Sequence, residues 1–341
     1  MDVAFSERDF FLKSFHGTIL TVVITEHSDL GEESMGRFLK ALLPLLDSGG
    51  RVVVLFQDVE PLFYILKTGL QDLAARTLWG RHILGARQAL PLLWPGKKTL
   101  CMMGFSPVGG LGAFLRTVVQ LATDVRVSRL LWSEAEGGLV TEEAGVVGFM
   151  QVQALAARLH NSHGLTPHRR LVLTTLLDLL QGGVGAISLL RLADIGRELY
   201  TFEGCGTFFA HHYYCQVRSL GLDDVAQVAT LIRHGEQEGY LLPRDRVGVL
   251  SILIEGYGAF IGTGGLVGVC GLLTIPYQKR AGEIVALYTL TRFKGKGVGK
   301  ILVEKIKAEA TIQGLAYLFA CTPHPRVGDF LFRLGFRPVG Q

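Results

Sequence analysis

The sequence of 341 residues has few of the features that mark metal-binding, secreted or membrane proteins. Its five cysteines form no CxxC pair and have no metal-ligand spacing with histidine, so we expect reduced cysteines and no bound metal. The first residues carry charges of both signs without an apolar signal core, and no apolar run approaches the roughly 20 residues that span a bilayer. The sequence therefore predicts a cytoplasmic protein with no membrane partner.

Charge of one sign is also scarce. The net charge of +4 comes from 34 basic and 30 acidic residues, and no run of like charges exceeds three residues. Nucleic-acid binding needs clustered lysine and arginine, so no nucleic-acid partner is expected. With 49% hydrophobic and 19% charged residues, the chain has ample material for packed cores. Its length corresponds to two domains at roughly 150 residues each.

The first 210 residues alternate short β-branched runs with stretches of helical periodicity. The predicted strands are Thr18–Ile24, Arg51–Phe56, Thr99–Phe105, Val125–Leu131 and Ala186–Leu192. Helices are predicted at Met35–Leu46, in a long region that follows Phe56 and runs through Leu92, after Gly112 and at Arg169–Leu180. This alternation predicts an α/β domain over residues 1–210, with an open and mostly parallel sheet covered on both faces.

Residues 215–341 follow a different pattern, which predicts a second α/β domain with a mixed sheet. The predicted strands are Gln216–Leu220, Tyr257–Ile261, Leu266–Leu273, Glu283–Phe293, Leu315–Thr322 and Phe336–Val339. Helices are predicted from Val225, capped by Asp223 or Asp224, at Lys300–Gln313 and at Arg326–Leu334. The glycines at 262, 264 and 265 predict a hairpin turn, so the first four strands are expected to be antiparallel.

A glycine-rich loop, KGKGVGK at residues 294–300, lies between the predicted fourth strand and the following helix. Glycines without Cβ atoms and the free N–H groups at a helix start form a site for a pyrophosphate. A Walker A loop is excluded because Ile301 follows Lys300, and a dinucleotide fingerprint would need a first strand of a parallel unit. A purely structural turn is the alternative.

The loop matches, with lysine in first place, the pattern [RQ]-x-x-G-x-[GA] of GNAT acetyltransferases, and FRLGF at 332–336 is typical of how that domain ends. From Arg197 to Val339 the chain resembles bacterial N-acetylglutamate synthases, through Glu198–Thr207, Gly239–Arg246, Gly282–Leu287 and Leu318–Thr322. Before Arg197 the likeness is architectural. The resemblance implies an amino-acid-kinase-like domain followed by a GNAT domain. It also implies direct acetyl transfer from acetyl-CoA to the α-amino group of L-glutamate, in arginine biosynthesis.

The same resemblance assigns roles to residues. It places acetyl-CoA on Leu287, Tyr288, Thr289, Lys294, Gly295, Lys296, Gly297, Val298, Gly299 and Lys300. It places the acceptor on Leu242, Arg244 and Ala286, with arginine suited to a carboxylate by its planar fork. It makes Glu283 the general base, directly or through water, and gives Thr322 a hydroxyl that assists thiolate departure. The alternatives are a surface arginine, a solvated carboxylate and a strand-end threonine. Cys321 is expected to be a buried strand cysteine.

The N-terminal region departs from active amino-acid kinases. Their glycine clusters after the first two strands are replaced by ITEHSD at 24–29 and FQDVEP at 56–61, where carboxylates would repel phosphates. We expect no ATP binding and no kinase activity, but a scaffold, an oligomerising domain or an arginine-responsive regulatory domain in a homo-oligomer. The related synthases continue beyond the segment 336–339, so the GNAT domain is expected to lack its last strand. A GNAT enzyme for another amine and a non-catalytic CoA- or arginine-sensing partner subunit are the rival interpretations.

Overall fold

A computed structural model of the chain divides the described residues into two compact units, one up to residue 211 and one from residue 215 onward. The described residues are 8, 11–12, 15, 17–25, 31–93, 99–127, 129–141, 145–161, 164–201, 204–211, 215–261, 265–278, 280–290, 293, 297–322 and 324–339.

The N-terminal unit is built around a large sheet. Its strands are β1 (Ile19–Ile24), β2 (Arg51–Gln57), β3 (Thr77–Ile83), β4 (Leu100–Phe105), β5 (Arg129–Ser133), β6 (Val140–Thr141), β7 (Gly145–Val146), β8 (Phe149–Gln151), β9 (Ala186–Leu190) and β10 (Thr207–Ala210). Its α-helices are α1 (Glu32–Asp47), α2 (Glu60–Gly69), α3 (Ala86–Ala89), α4 (Gly110–Asp124), α5 (Val152–His160), α6 (Pro167–Gln181) and α7 (Ile195–Tyr200). Short 3₁₀ turns cover Gln71–Arg76, Leu90–Leu93 and Leu192–Asp194.

Eight of these strands form one sheet in the order β3-β4-β2-β1-β5-β9-β10-β8, and β6 and β7 pair separately. The pairing is parallel except between β10 and β9. Successive strand residues point to opposite faces, so Val23 belongs to the core on one face and Val22 and Ile24 to the core on the other. The prediction of an α/β unit with a mostly parallel, doubly covered sheet is confirmed.

Two local predictions for this unit are wrong. The region predicted as one helix up to Leu92 contains the strand β3, which lies at the sheet edge. Its outer residues Arg81 and His82 are exposed, and this polarity hides a strand from a search for apolar runs. The strand predicted at Val125–Leu131 begins at Arg129, because Val125 caps α4 and Arg126 has a left-handed φ of 53°.

The C-terminal unit has a five-stranded sheet in the order β11-β12-β13-β14-β15. Its strands are β11 (Cys215–Ser219), β12 (Gly256–Ile261), β13 (Gly265–Leu273), β14 (Ala281–Thr289) and β15 (Tyr317–Ala320). Its α-helices are α8 (Val225–Gln237), α9 (Arg246–Ile254), α10 (Val298–Ile312) and α11 (Pro325–Arg333), with 3₁₀ turns at Leu222–Asp224 and Ile275–Tyr277. Neighbouring strands are antiparallel up to β14, while β15 is parallel to β14. The predicted antiparallel order of the first four strands is confirmed.

Several boundaries in this unit differ from prediction. The fourth strand ends at Thr289 rather than Phe293, and the helix after the glycine loop begins at Val298 rather than Lys300. Residues 336–339 form no strand, and Val339 is 95% exposed. Helix α9 was not predicted, since its composition is β-branched and apolar; it is started by Asp245, whose carboxylate accepts the Gly248 N–H at 2.8 Å.

Candidate functional site

The site lies where β14 and β15 separate. These parallel strands pair from Ala281 and Tyr317 only as far as Ile284 and Ala320. Beyond that point β14 continues to Thr289, paired on its other side with β13. Leu287 to Thr289 therefore lie beyond the last residue of β14 that pairs with β15. An open sheet edge inside a domain offers N–H and C=O groups to an extended ligand.

A β-bulge at Ala286 marks the start of this opening. Ala286 has φ of 50° although it is not glycine, and the register between β13 and β14 shifts at this point by one residue. A bulge bends its strand and re-aims the side chains around it. Left-handed backbone in a residue other than glycine costs about 1–2 kcal/mol and is concentrated at functional sites. The bend directs β14 away from β15.

The N-terminus of α10 faces the same opening. Gly297 supplies the N-cap with φ of 87°, which glycine adopts without a steric penalty. Gly268 of β13 lets the helix lie close to the sheet, because a Cβ there would meet Leu302 Cδ1 at 3.0 Å and Val298 Cγ1 at 3.1 Å. The free N–H groups and the positive dipole end of the helix therefore point to the end of β14, where a phosphate is stabilised.

A cavity of about 700 Å³ occupies this opening, within the size range of cofactor pockets. Six of the residues predicted to bind acetyl-CoA line it: Leu287, Tyr288, Thr289, Gly297, Gly299 and Lys300. Val298, a seventh, is not among the lining residues, because its side chain is buried beneath the helix. Lys294, Gly295 and Lys296 lie outside the described residues.

Helix α11 adds cations to this cavity that the sequence interpretation missed. Arg326, Phe330 and Arg333 line it, and residues four and seven positions apart share one face of a helix. Arg326 and Arg333 could have been found from this spacing. With Lys300, they place three described cations around a cavity whose other wall is apolar, an arrangement suited to a phosphate-bearing ligand with a thin organic arm.

A second cavity of about 150 Å³ adjoins the first, since Tyr240, Leu287 and Val327 line both. Its volume is of the order that holds a benzene-sized molecule. All five residues predicted to bind the acceptor or to catalyse line this cavity: Leu242, Arg244, Glu283, Ala286 and Thr322. Tyr240 and Val327 were not predicted, and no sequence pattern singles them out.

Arg244 lies in the loop between α8 and α9, and two hydrogen bonds to carboxylates fix this loop. The carboxylate of Glu236 accepts the Arg244 backbone N–H at 2.8 Å, and Asp245 begins α9. The Arg244 Nε atom is buried and has no hydrogen-bond partner, and within the described part of the chain no carboxylate pairs with its guanidinium. A buried donor without a partner is costly unless a ligand satisfies it. This contact pattern favours a binding arginine over a surface arginine.

Glu283 and Thr322 project from the two strands that separate. One carboxylate oxygen of Glu283 accepts the Tyr277 hydroxyl at 2.6 Å, so Glu283 is not simply a solvated carboxylate. Thr322 follows the end of β15, and its hydroxyl oxygen accepts the His324 N–H at 3.2 Å. The hydroxyl proton of Thr322 is not used in this contact. The two strands thus bring a proton acceptor and a proton donor to one small cavity.

Cys321 was predicted to be a buried strand cysteine, and this prediction is wrong. It lies one residue beyond β15, is exposed and lines the smaller cavity. The strand ends at Ala320 because β14 no longer pairs beyond Ile284. In the described ranges, no three His, Cys, Asp or Glu residues are grouped closely enough to hold a metal ion.

The C-terminal ends of the first strands in the N-terminal unit carry a closed cluster instead. Asp58, which follows β2 and is 3% exposed, accepts bonds from Arg81 at 2.9 Å and from the His82 N–H at 2.8 Å. A Cβ at Gly104 of β4 would come within 3.0 Å of the Asp58 side chain. The strand end is therefore filled by an internal ion pair. Of the other carboxylates in the segments 24–29 and 56–61, Glu60 begins α2, and Glu26 and Asp29 lie outside the described residues.

Residues 232–336 match the acetyltransferase (GNAT) family. The separated parallel strands, the bulge and the glycine-started helix belong to that match, so the chain contains an acetyltransferase domain of the GNAT family. No helix in the described ranges combines the length and hydropathy that a membrane span requires.

Two relatives that match this chain in sequence are amino-acid acetyltransferases. That of Pseudomonas fluorescens (strain SBW25) is 29% identical over 244 residues, 70% of this chain and 55% of the relative. That of Azotobacter vinelandii is 27% identical over 248 residues, 71% of this chain and 56% of the relative. The chain thus spans about half the length of the curated relatives it matches.

Solved structures extend the likeness of fold to both units. N-acetylglutamate synthase from Neisseria gonorrhoeae complexed with coenzyme A and L-arginine has a TM-score of 0.64 at 18% identity, covering 98% of this chain and 92% of that chain. The same enzyme with coenzyme A and N-acetyl-glutamate has a TM-score of 0.53 over the same shares. At this identity the likeness shows the fold, an α/β unit with a large, mostly parallel sheet followed by a GNAT-type mixed sheet.

Proposed function

We propose that this chain transfers an acetyl group from acetyl-CoA to the α-amino group of L-glutamate, as in the first step of arginine biosynthesis. The observation that carries the proposal is that two adjoining cavities share the lining residues Tyr240, Leu287 and Val327. The larger has the helix start and the cations that suit a phosphate-bearing cofactor. The smaller is lined by Arg244, whose buried Nε has no hydrogen-bond partner, and by the carboxylate of Glu283 and the hydroxyl of Thr322. The curated relatives, named amino-acid acetyltransferases, support the same chemistry.

Acetyl-CoA is the co-substrate in this proposal. Its pyrophosphate would lie at the α10 N-terminus with Lys300, Arg326 and Arg333, and its extended arm would lie along β14 at Leu287 to Thr289, which line the same cavity. The loop residues Lys294, Gly295 and Lys296 are proposed to complete this binding site. The arm would then deliver the thioester to the junction of the cavities, beside Tyr240 and Val327.

The transfer uses residues of the smaller cavity. Arg244 binds the α-carboxylate of the acceptor, near Leu242 and Ala286, and Glu283 takes one proton from its ammonium group, directly or through water. The freed amine attacks the thioester carbon, a C–N bond forms and the C–S bond breaks. Thr322 donates a hydrogen bond to the departing thiolate, which ends as the CoA thiol by taking the second proton lost from nitrogen. No acyl-enzyme is needed, and Cys321 is a bystander.

A neutral amino acid is a second candidate acceptor. Arg244 is the one cation among the described residues that line the smaller cavity, and nine of the fourteen lining residues are aliphatic. One guanidinium pairs with one carboxylate, so the described cavity matches an α-carboxylate and leaves an apolar wall for the side chain. L-glutamate would need a further cation for its γ-carboxylate.

We further propose that the N-terminal unit is a scaffold or an arginine-responsive regulatory domain without ATP binding. The Asp58–Arg81 pair fills the end of β2, where a kinase would admit phosphates. The synthase of N. gonorrhoeae, which shares the fold, has been solved with L-arginine. ATP should not raise the melting temperature of the full chain, whereas acetyl-CoA should. Protection by ATP would contradict this assignment.

Release of the CoA thiol from acetyl-CoA, measured with each of the twenty amino acids, tests the activity. L-glutamate should give the highest kcat/KM. Turnover with a neutral amino acid alone would favour the second candidate, and turnover with an unrelated amine would favour a different GNAT enzyme. If no amine is acetylated while CoA still binds in calorimetry, the chain is a CoA-sensing subunit and the proposal fails. A Cys321→Ala variant should retain activity.

A further inference from the structure

The turn before β14 carries a residue that the proposed chemistry does not yet use. Tyr277 ends the 3₁₀ turn Ile275–Tyr277, and its hydroxyl donates to Glu283 Oε2 at 2.6 Å. Tyr277 is half-buried and is not among the residues lining the smaller cavity, whereas Glu283 is. Tyr277 therefore contacts the carboxylate from the side away from the acceptor.

We propose that Tyr277 is a positioning residue, which holds one oxygen of Glu283 so that the other oxygen faces the acceptor amine. This inference rests on the proposed acetyl transfer. A carboxylate on a long side chain samples several rotamers, and a strong hydrogen bond to one oxygen restricts it to one.

The Tyr277 ring is itself held in place. It packs edge-to-face on Phe319 of β15, with ring centroids 5.1 Å apart at 81°. The turn behind it is fixed by Glu255, whose carboxylate accepts both the N–H and the hydroxyl of Thr274, at 2.9 and 3.0 Å. The backbone N–H of Tyr277 donates to the Thr274 carbonyl at 3.1 Å. A rigid support of this kind is what a positioned catalytic group requires.

Among the charged and titratable side chains of the described residues near Glu283, Tyr277 is the one that donates a hydrogen bond to it. Arg244 and Cys321 line the same cavity from the loop before α9 and from the end of β15. In the described part of the chain, neither of these two side chains forms a hydrogen bond or an ion pair with Glu283. The hydrogen bond to Glu283 raises the pKa of Tyr277, with smaller contributions from burial and from the charges of Glu283 and Cys321. Tyr277 thus stays protonated and remains a donor throughout the neutral range.

Steady-state kinetics of Tyr277→Phe separate positioning from folding, because this change removes the hydroxyl and keeps the ring on Phe319. We expect kcat to fall by about 10-fold, a part of the roughly 100-fold or greater effect of a general base, with KM for acetyl-CoA unchanged. In a Glu283→Ala background the same change should have no further effect, since Tyr277 acts through Glu283. Additive losses, or a raised KM for acetyl-CoA, would overturn the inference. Tyr317→Phe, a 73% exposed tyrosine on β15, is the matched control.

A titration of the full chain labelled with ¹³C at tyrosine Cζ decides the contact without any turnover. The Tyr277 signal is identified by its loss in Tyr277→Phe, and its pKa should fall toward the ordinary value in Glu283→Gln. An unchanged Tyr277 titration in Glu283→Gln would refute the hydrogen bond. If no amine is acetylated, the proposed function fails on its own, while this titration still shows whether Tyr277 holds Glu283.

Discussion

The two units differ in whether every buried charged group of the described residues has a partner within its own unit. In the N-terminal unit, the buried charged residues of the described ranges are Asp58, Glu134, Arg169 and Glu198. Each forms hydrogen bonds or an ion pair with other residues of the same unit. In the C-terminal unit, Arg244 presents a buried Nε without a partner, and Glu283 bonds through one oxygen only. Both unsatisfied groups line the same cavity.

This difference separates charges that stabilise a fold from charges that await a ligand. An internal pair contributes to folding only while both partners are present, and removing one leaves the other buried and uncompensated. A charged group that faces a cavity contributes little to the free energy of folding, and its removal weakens ligand binding instead. Measurements of stability and of activity should therefore respond to different substitutions.

The largest effect is expected for Glu134→Ala in the N-terminal unit. Glu134 is 2% exposed and pairs with Arg169, which also donates to the carbonyls of Gly137 and Gly138 at 2.7 and 3.1 Å. Without Glu134, the buried guanidinium loses its carboxylate, and the free energy of unfolding should fall by about 3–5 kcal/mol. Urea unfolding followed by tryptophan fluorescence reports on this unit, because all three tryptophans lie between residues 79 and 132.

Glu136→Ala is the matched control. Its carboxylate approaches the same arginine, Nε to Oε2 at 3.5 Å, but its side chain is 62% exposed. An exposed pair contributes about 0–1 kcal/mol, so this variant should unfold almost as the parent does. Equal losses for Glu134→Ala and Glu136→Ala would contradict the distinction between the internal pair and its exposed neighbour.

The next largest effect is expected for Arg244→Gln, and on activity alone. Losing hydrogen bonds from a charged group costs about 1.5–3 kcal/mol, or roughly 10- to 150-fold in kcat/KM for the acceptor. KM for acetyl-CoA should not change, since Arg244 lines only the smaller of the two cavities. Amide hydrogen exchange in peptides covering α8 and α9, the helices on either side of Arg244, should match that of the parent chain.

Arg233→Gln, at an exposed position of α8, is the control for loss of one positive charge. It should leave both kinetic constants unchanged. Arg244→Lys keeps the charge but loses the planar fork, so an intermediate kcat/KM would show that the fork geometry matters. A full loss of stability in Arg244→Gln would mean that this arginine supports the fold instead.

The parts of the fold and of the candidate site that the sequence predicts are those that residues close together in the chain determine. The alternation of strands and helices and the glycine loop are local patterns. The sheet class and the presence of a helix after the loop followed from them, although α10 begins at Val298 rather than Lys300. The residues predicted to bind the acceptor or to catalyse came from a resemblance, and the structure brings Leu242, Arg244, Glu283, Ala286 and Thr322 to one cavity.

What the sequence could not show depends on contacts between distant residues. Tyr240 reaches both cavities only because α8 packs on β13 and β14. Cys321 is exposed because a parallel pairing stops one position earlier, at Ala320. The left-handed φ of Ala286 arises from a register shift against β13, which no alternation of apolar residues reveals.

The smallest effect is expected within the C-terminal unit, where Arg218 and Asp224 form an internal pair of the N-terminal kind. Arg218 bonds both oxygens of Asp224 at 2.8 Å and lies 3.7 Å from the Phe260 ring centre, but its side chain is 53% exposed. The pair lowers the pKa of Asp224, against the opposing effect of burial. A lowered pKa means that the stabilisation is present above the ordinary value of 3.8 and is lost as the pH falls below it.

Asp224→Asn should therefore destabilise the unit by at most about 1 kcal/mol at pH 7, because solvent screens the exposed guanidinium. Amide hydrogen exchange in peptides covering β11 and α8, compared between variant and parent at equal pH, should differ by up to about fivefold at pH 7. The difference should vanish as the pH falls below 3.8, the unshifted value. Asp223→Asn, at an exposed position, should show no difference at either pH. A difference in exchange that stays constant from pH 7 to pH 3 would mean that the shape of the Asp224 side chain, and not its charge, stabilises β11 and α8. The contrast between Arg218 and Arg244 would then not be one of paired and unpaired charge.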